Sequence, residues 1–112
     1  MSGVTEVTAE EAIALTESGA WLLDVREQDE WDRGHAPRAH LLPLRELGSR
    51  MAEIPADQPV LVVCLSGSRS LRAARALVGA GVDAVNVSGG MLAWTAANGP
   101  LVSDGEAAAH VE

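Results

Sequence analysis

The chain has 112 residues, of which 47% are apolar, and a net charge of -8 from 16 acidic against 8 basic residues. This length suits one domain with a two- or three-layer core, and the negative charge repels nucleic-acid phosphates and anionic lipid headgroups, so neither is expected as a partner. No apolar run of about 18 residues spans a bilayer, and the opening MSGVTEVTAEE lacks the basic and apolar regions of a secretory signal, so a soluble cytoplasmic protein is expected.

Thr8-Ala9-Glu10-Glu11 has the form of a capping box before a periodic segment, which predicts a short helix over 10–18 that stops at Gly19. Trp21 to Val25 reads as a buried strand, and the polar stretch 26–34 holds room for one or two helical turns around Trp31 before Gly34-His35-Ala36-Pro37 breaks any helix. Residues 45–54 read as a helix with Leu47, Met51 and Ile54 on one face, followed by a turn-rich connector to a strand over 60–63. Residues 69–81 are helical by composition. On a helical wheel Ala73, Ala74, Leu77, Val78 and Gly81 share one side, and Arg72, Arg75 and Gly79 the other. A strand over 82–87, a turn at Ser88-Gly89-Gly90 and a helix over 91–98 complete the pattern, while the acidic, alanine-rich tail 101–112 reads as a frayed end or a short extra helix. Strands alternating with helices predict an α/β domain whose mainly parallel sheet has about four or five strands, covered on both faces.

The chemistry concentrates in CLSGSRS. Cys64 is the sole cysteine, so it forms no internal disulfide, and the three histidines show no metal-ligand spacing; the thiol is either a core filler or a reagent. As a filler, Cys64 would simply be the last buried residue of an apolar strand. As a reagent, it stands at the carboxyl end of a central strand, where ligands of open parallel sheets bind and the next helix points its amides. Leu65, Ser66, Gly67 and Ser68 form a short loop able to curl its N–H groups inward, and Arg69 adds a fixed charge whose fork suits an oxyanion. These groups favour a thiolate, so the expected pKa is below the free-cysteine value of about 8.5.

Together with its surroundings, this loop resembles that of the rhodanese domain family, usually a cysteine followed by arginine, a small residue, glycine, a variable residue and arginine. Leu22-Leu23-Asp24-Val25-Arg26-Glu27, Glu30-Trp31 and Gly34-His35-Ala36-Pro37-Arg38-Ala39 are similar to the family's upstream signature, and Gly89-Gly90-Met91-Leu92-Ala93-Trp94 to its closing one. The resemblance covers roughly 5–102, which implies one rhodanese-like domain over 1–112 with an acidic tail at 103–112. Two positions depart from the pattern. Leu65 stands where arginine is common, which removes a positive charge and weakens the expectation for a dianion such as thiosulfate. Arg38 replaces a small residue and either brings charge to the site or faces solvent.

The resemblance implies a sulfurtransferase in which Cys64 takes a sulfane sulfur from thiosulfate or a persulfide and passes it to cyanide, a thiol or a protein, by ping-pong covalent catalysis without a cofactor, a metal or a general base. The amides of Leu65, Ser66, Gly67, Ser68 and Arg69 would bind the substrate and stabilise the persulfide. With no second cysteine, the sulfur must leave to an external acceptor, and exposed Arg72 and Arg75 either dock an acidic protein or form a solvated face. The alternative is a sulfur carrier or regulatory binding module with little turnover. Phosphatase or arsenate reductase activity is disfavoured because the arginine falls one position short of that spacing. Asp24, Arg26 and His35 read as architectural, Trp31 and Trp94 as core anchors, and Gly67, Gly89 and Gly90 as turn formers, with only Gly67 placed to approach a ligand.

Overall fold

The computed structural model describes residues 3–105 and 107–112. Its strands are β1 Thr5–Val7, β2 Trp21–Asp24, β3 Ala39–Leu41, β4 Val60–Val63 and β5 Ala84–Val87. They form one 5-stranded sheet in the order β1-β5-β4-β2-β3, and every pairing is parallel. The helices are α1 Ala9–Glu17, α2 Gln28–Arg33, α3 Leu47–Arg50, α4 Ser68–Gly79 and α5 Gly90–Ala96.

β4 is the central strand, and all of its residues are buried because both faces of the sheet are covered. Side chains alternate across a strand, so Val60 and Val62 join Leu23, Val25 and the α4 residues Ala73, Ala74 and Leu77 in one core. Leu61 and Val63 join Leu22, Ala12, Met91 and Trp94 in the other. Cys64 falls on the α4 side.

The capping box of α1 is present, with the Glu11 amide donating to Thr8 Oγ1 at 3.1 Å and the Thr8 amide to Glu11 Oε1 at 2.8 Å. No basic residue lies in the last turn of α1; Arg38 supplies a cation from elsewhere, its Nη1 donating to the carbonyls of Thr16 and Glu17 at 3.2 and 3.4 Å. Arg38 therefore serves a helix end next to the start of β2, not the Cys64 end of the sheet.

Several expectations need correction. Residues 45–54 do not form one helix: 3-10 turns at Leu44–Glu46 and Met51–Glu53 flank the short α3. Gly48 and Ser49 are weak helix formers, and the tighter turns still bury Leu47 and Ile54 and half-bury Met51. Within α4 the apolar side runs through Ala73, Ala74 and Leu77 but stops short of Val78, which is exposed, and Ser70 takes a buried place instead. Edge strands β1 and β3 were absent from the predicted elements. Among its described residues the tail forms no helix; it pairs Val102 with His35, donates the His110 amide to the Arg33 carbonyl at 3.0 Å and packs Val111 against the second core. Among the described residues no helix is long and apolar enough to cross a membrane.

At the carboxyl end of β2, Asp24 and Arg26 are both fully buried and paired: Nη2 donates to Oδ2 at 2.8 Å and Nε to Oδ1 at 3.0 Å. Nη2 also donates to the Gly34 carbonyl at 2.8 Å, tying β2 to the exit of α2. Removing one partner strands the other's charge in a dry interior. Asp24→Ala is expected to cost about 3–5 kcal/mol of folding stability, measured by urea denaturation.

Candidate active site

Cys64 follows β4 directly and is only 1% exposed, because the next residues curl over it. Its Sγ accepts from the Gly67 amide at 3.1 Å and lies 3.3 Å from Ser70 Oγ; the backbone N–H groups of Ser66 and Ser70 also act on it. The loop that supplies its donors also covers it.

A pair of hydrogen bonds on the outer side anchors the loop to α5. Met91 N–H donates to the Cys64 carbonyl at 2.8 Å and Leu92 N–H to the Leu65 carbonyl at 3.0 Å. With the Leu65 carbonyl drawn toward α5, the Ser66 N–H of the same peptide unit points the other way, toward the sulfur on which it acts. Two glycines make this approach possible. Gly67 has φ 116°, a conformation L side chains rarely adopt. Gly90 has φ 57°, and a Cβ there would collide with the carbonyl oxygens of Cys64 and Leu65. Gly90 therefore does more than form a turn: it lets the closing signature and the cysteine loop touch.

Burial pushes the Cys64 thiol up, but the Ser70 hydroxyl and the amides of Ser70, Gly67 and Ser66 outweigh it and hold the pKa below the ordinary value. The amino end of α4 aims its partial positive charge at the same atom. Ser70 Oγ is also 3.2 Å from the Gly67 carbonyl. Its one proton can face that carbonyl while a thiol donates to Oγ, then turn to Sγ once the thiolate forms.

Ser70 was missed as part of the site. The signal was present: 70, 73, 74 and 77 fall on one helical face, and a serine completing an apolar stripe needs a buried partner.

Arg69 does sit beside Cys64, but its fork does not stand free. Nη1 and Nη2 reach Glu30 Oε1 and Oε2 at 2.7 and 2.9 Å. The Arg69 hydrogen bonds lead in holding the Glu30 carboxyl below its usual range; burial opposes them, and the Glu27 amide and nearby Arg26 assist. Oε1 also accepts from the Glu27 amide at 2.9 Å, so one carboxylate starts α2 and clamps the cysteine loop.

Leu65 is half-buried, and Ser66 and Ser68 are exposed. Arg72 and Arg75 are exposed without an ion-pair partner among the described residues. His35 is buried, its Nδ1 2.9 Å from the Trp31 carbonyl and its ring stacked on Trp31 with centroids 3.7 Å apart. Trp94 is a core residue whose Nε1 donates to the Pro100 carbonyl at 3.0 Å, whereas Trp31 is half-buried. Two hollows on the surface, one around Leu22, Arg38 and Trp94 and one around Trp31, Arg45 and Arg50, include no residue of the cysteine loop.

Residues 8–97 match the sequence profile of the Rhodanese-like domain. The chain belongs to the rhodanese-like domain family. Its rhodanese-like sequence is 37% identical over 119 aligned positions to Thiosulfate sulfurtransferase 18 of Arabidopsis thaliana, covering 92% of this chain and 87% of that protein. It is 36% identical to Thiosulfate sulfurtransferase GlpE of Pseudomonas savastanoi pv. phaseolicola, covering 86% and 92%. The fold superposes on the reduced CoADR-RHD of Bacillus anthracis with a TM-score of 0.80 and 34% identity, over 84% of this chain and 17% of that one.

Ser70→Ala is expected to raise the midpoint of the pH profile for Cys64 alkylation by iodoacetamide while leaving the circular dichroism of the fold unchanged. A second titration concerns the clamp. Because the Glu30 carboxyl is held low in the folded state, its stabilising contribution is complete above the unfolded carboxylate value of about 4.3 and fades as pH falls through the lower folded value. Glu30→Gln should flatten that acid limb of the stability curve, read from thermal unfolding between about pH 5 and pH 3.

Proposed function

We propose that the chain is a sulfurtransferase in which Cys64 carries sulfane sulfur from a donor such as thiosulfate to a thiophilic acceptor. The observation that carries this reading is the convergence of the Gly67 amide and the Ser70 hydroxyl on one buried sulfur, at 3.1 and 3.3 Å, in a rhodanese-like chain whose relatives bear sulfurtransferase names. Within this reading Cys64 is the nucleophile, Leu65 to Arg69 form the donor-binding loop, and the whole chain works as one domain with its tail docked on α2.

In the first step the Cys64 thiolate attacks the outer sulfur of thiosulfate. A new S–S bond forms, the old one breaks, and its electron pair leaves with sulfite, so the cysteine persulfide keeps one negative charge. The amides of Ser66, Gly67 and Ser70 already face Cys64 Sγ. In this reading they stabilise the anionic persulfide, where fixed donors are worth more than mobile water. An acceptor (cyanide, a small thiol or a protein thiolate) then takes the outer sulfur and restores the thiolate. No other cysteine can intercept it. The single free thiol also accords with a cytoplasmic site of action.

A sulfur carrier or regulatory module with slow turnover is the second reading, favoured by the near-complete burial of Cys64. Phosphatase chemistry fits poorly. Arg69 is one position early, its fork is held by Glu30, and the next position is the Ser70 hydroxyl turned to the sulfur.

The test is the intact mass of the reduced protein after thiosulfate, then after cyanide. The expected result is a gain of one sulfur that cyanide removes and that Cys64→Ser never acquires. Repeated turnover with cyanide supports the enzyme, stoichiometric loading alone supports the carrier, and thiocyanate formation retained by Cys64→Ser would overturn the assignment of the nucleophile.

A further inference from the structure

Leu65 and Leu92 stand together outside the thiol cradle. The Leu92 amide donates to the Leu65 carbonyl at 3.0 Å, which fixes the two backbones against each other on the rim of the cysteine loop. Leu92 is 49% exposed, the most exposed of the large apolar side chains among the described residues, and Leu65 is half-buried. Leu92 is thus an apolar side chain left in water on a residue whose backbone is bonded directly to the cysteine loop.

The electrostatics of the rim point the same way. Arg69, the cation nearest to Cys64 in the loop, is neutralised by Glu30 in a bidentate pair. Residue 65 carries no charge. The next unpaired cation along the chain is Arg72, roughly 6 Å further down α4 than Ser68 by the rise of a helix. Against a chain of net charge -8, a dianion meets a thiolate with neutral donors around it but no unpaired side-chain cation in the loop. Since Cys64 is only 1% exposed beneath its loop, a donor inserts only its sulfane end, and its body rests on the rim.

From this we infer that the preferred donor carries an apolar body and at most one negative charge, as in the persulfide of an apolar thiol, and that Leu65 and Leu92 set this preference. This rests on the sulfurtransferase reading above. For such a donor, the Cys64 thiolate attacks the outer sulfur of R–S–SH, the Cys64–S bond forms, the R–S bond to that sulfur breaks, and R–S⁻ leaves with the electron pair. The proton stays on the transferred sulfur, and no oxidant or reductant enters.

Stable probes separate charge from apolar contact. Methanethiosulfonate and benzenethiosulfonate are both monoanions whose outer sulfur transfers with a sulfinate as leaving group, and thiosulfate is the dianion. We expect kcat/KM for benzenethiosulfonate to fall about tenfold more than that for methanethiosulfonate in Leu92→Ser, as loss of apolar contact area requires. In Leu65→Arg, kcat/KM for thiosulfate should rise about tenfold relative to either monoanion, as a charge-assisted contact provides. Leu92 is exposed, so its variant leaves the core intact and decides the question even if Leu65→Arg folds poorly. Equal losses for both thiosulfonates in Leu92→Ser, or no relative gain for thiosulfate in a folded Leu65→Arg, would overturn the inference while sulfur transfer stands. No transfer from any of the three donors to the wild-type chain would instead remove the sulfurtransferase reading, and this inference with it.

Discussion

Two hydrogen bonds from the first turn of α5 to the carbonyls of Cys64 and Leu65 hold the cysteine loop in place. A peptide unit cannot direct its C=O and its N–H to the same side, so drawing the Leu65 carbonyl outward presents the Ser66 amide to the sulfur, beside the Gly67 amide and Ser70. The central strand contributes position, bringing Cys64 to the end of a sheet buried on both faces. The left-handed Gly90, lacking a Cβ, then lets α5 approach closely enough to hold the loop.

The clamp on the other side is electrostatic and serves two structures. Glu30 accepts from its own helix start and from Arg69, so α2 and the cysteine loop are ordered by one carboxylate. Beneath it, the buried Asp24–Arg26 pair links β2 to the chain leaving α2. These ion pairs add little net stability once desolvation is counted, but each leaves a costly unpaired charge if the geometry changes. They specify an arrangement more than they strengthen it.

The parts of this fold legible in the sequence are those where local pattern and tertiary role agree. Val60 to Val63 reads as a buried strand because it is buried on both faces, and Thr8 and Glu11 announce a helix start by contacts within four residues. Cys64, Gly67 and the small loop were visible because chain order places them together. Glu30 as the partner of Arg69 was not, since the two are 39 positions apart and only the sheet order brings them into contact. Strands β1 and β3 have three residues each, too few to show alternation, and owe their existence to neighbours already in register. The stretch 45–54 kept its predicted apolar face yet lost its continuous helix, because burial fixes which side chains point inward more strongly than it fixes the winding between them.

α2 has six residues and buries none of its side chains. Elements of that kind open locally far more readily than a core strand, and the contacts holding this one include the Trp31–His35 stack, the Arg26 bond to the Gly34 carbonyl, the tail at Asp104 and His110, and the Glu30 clamp. Each opening removes Glu30 from Arg69 and leaves a free guanidinium beside the cysteine loop. The net charge felt at the mouth is then a time average over a local folding equilibrium, and amide exchange in residues 28–33 reports how often the site exists in its more positive form.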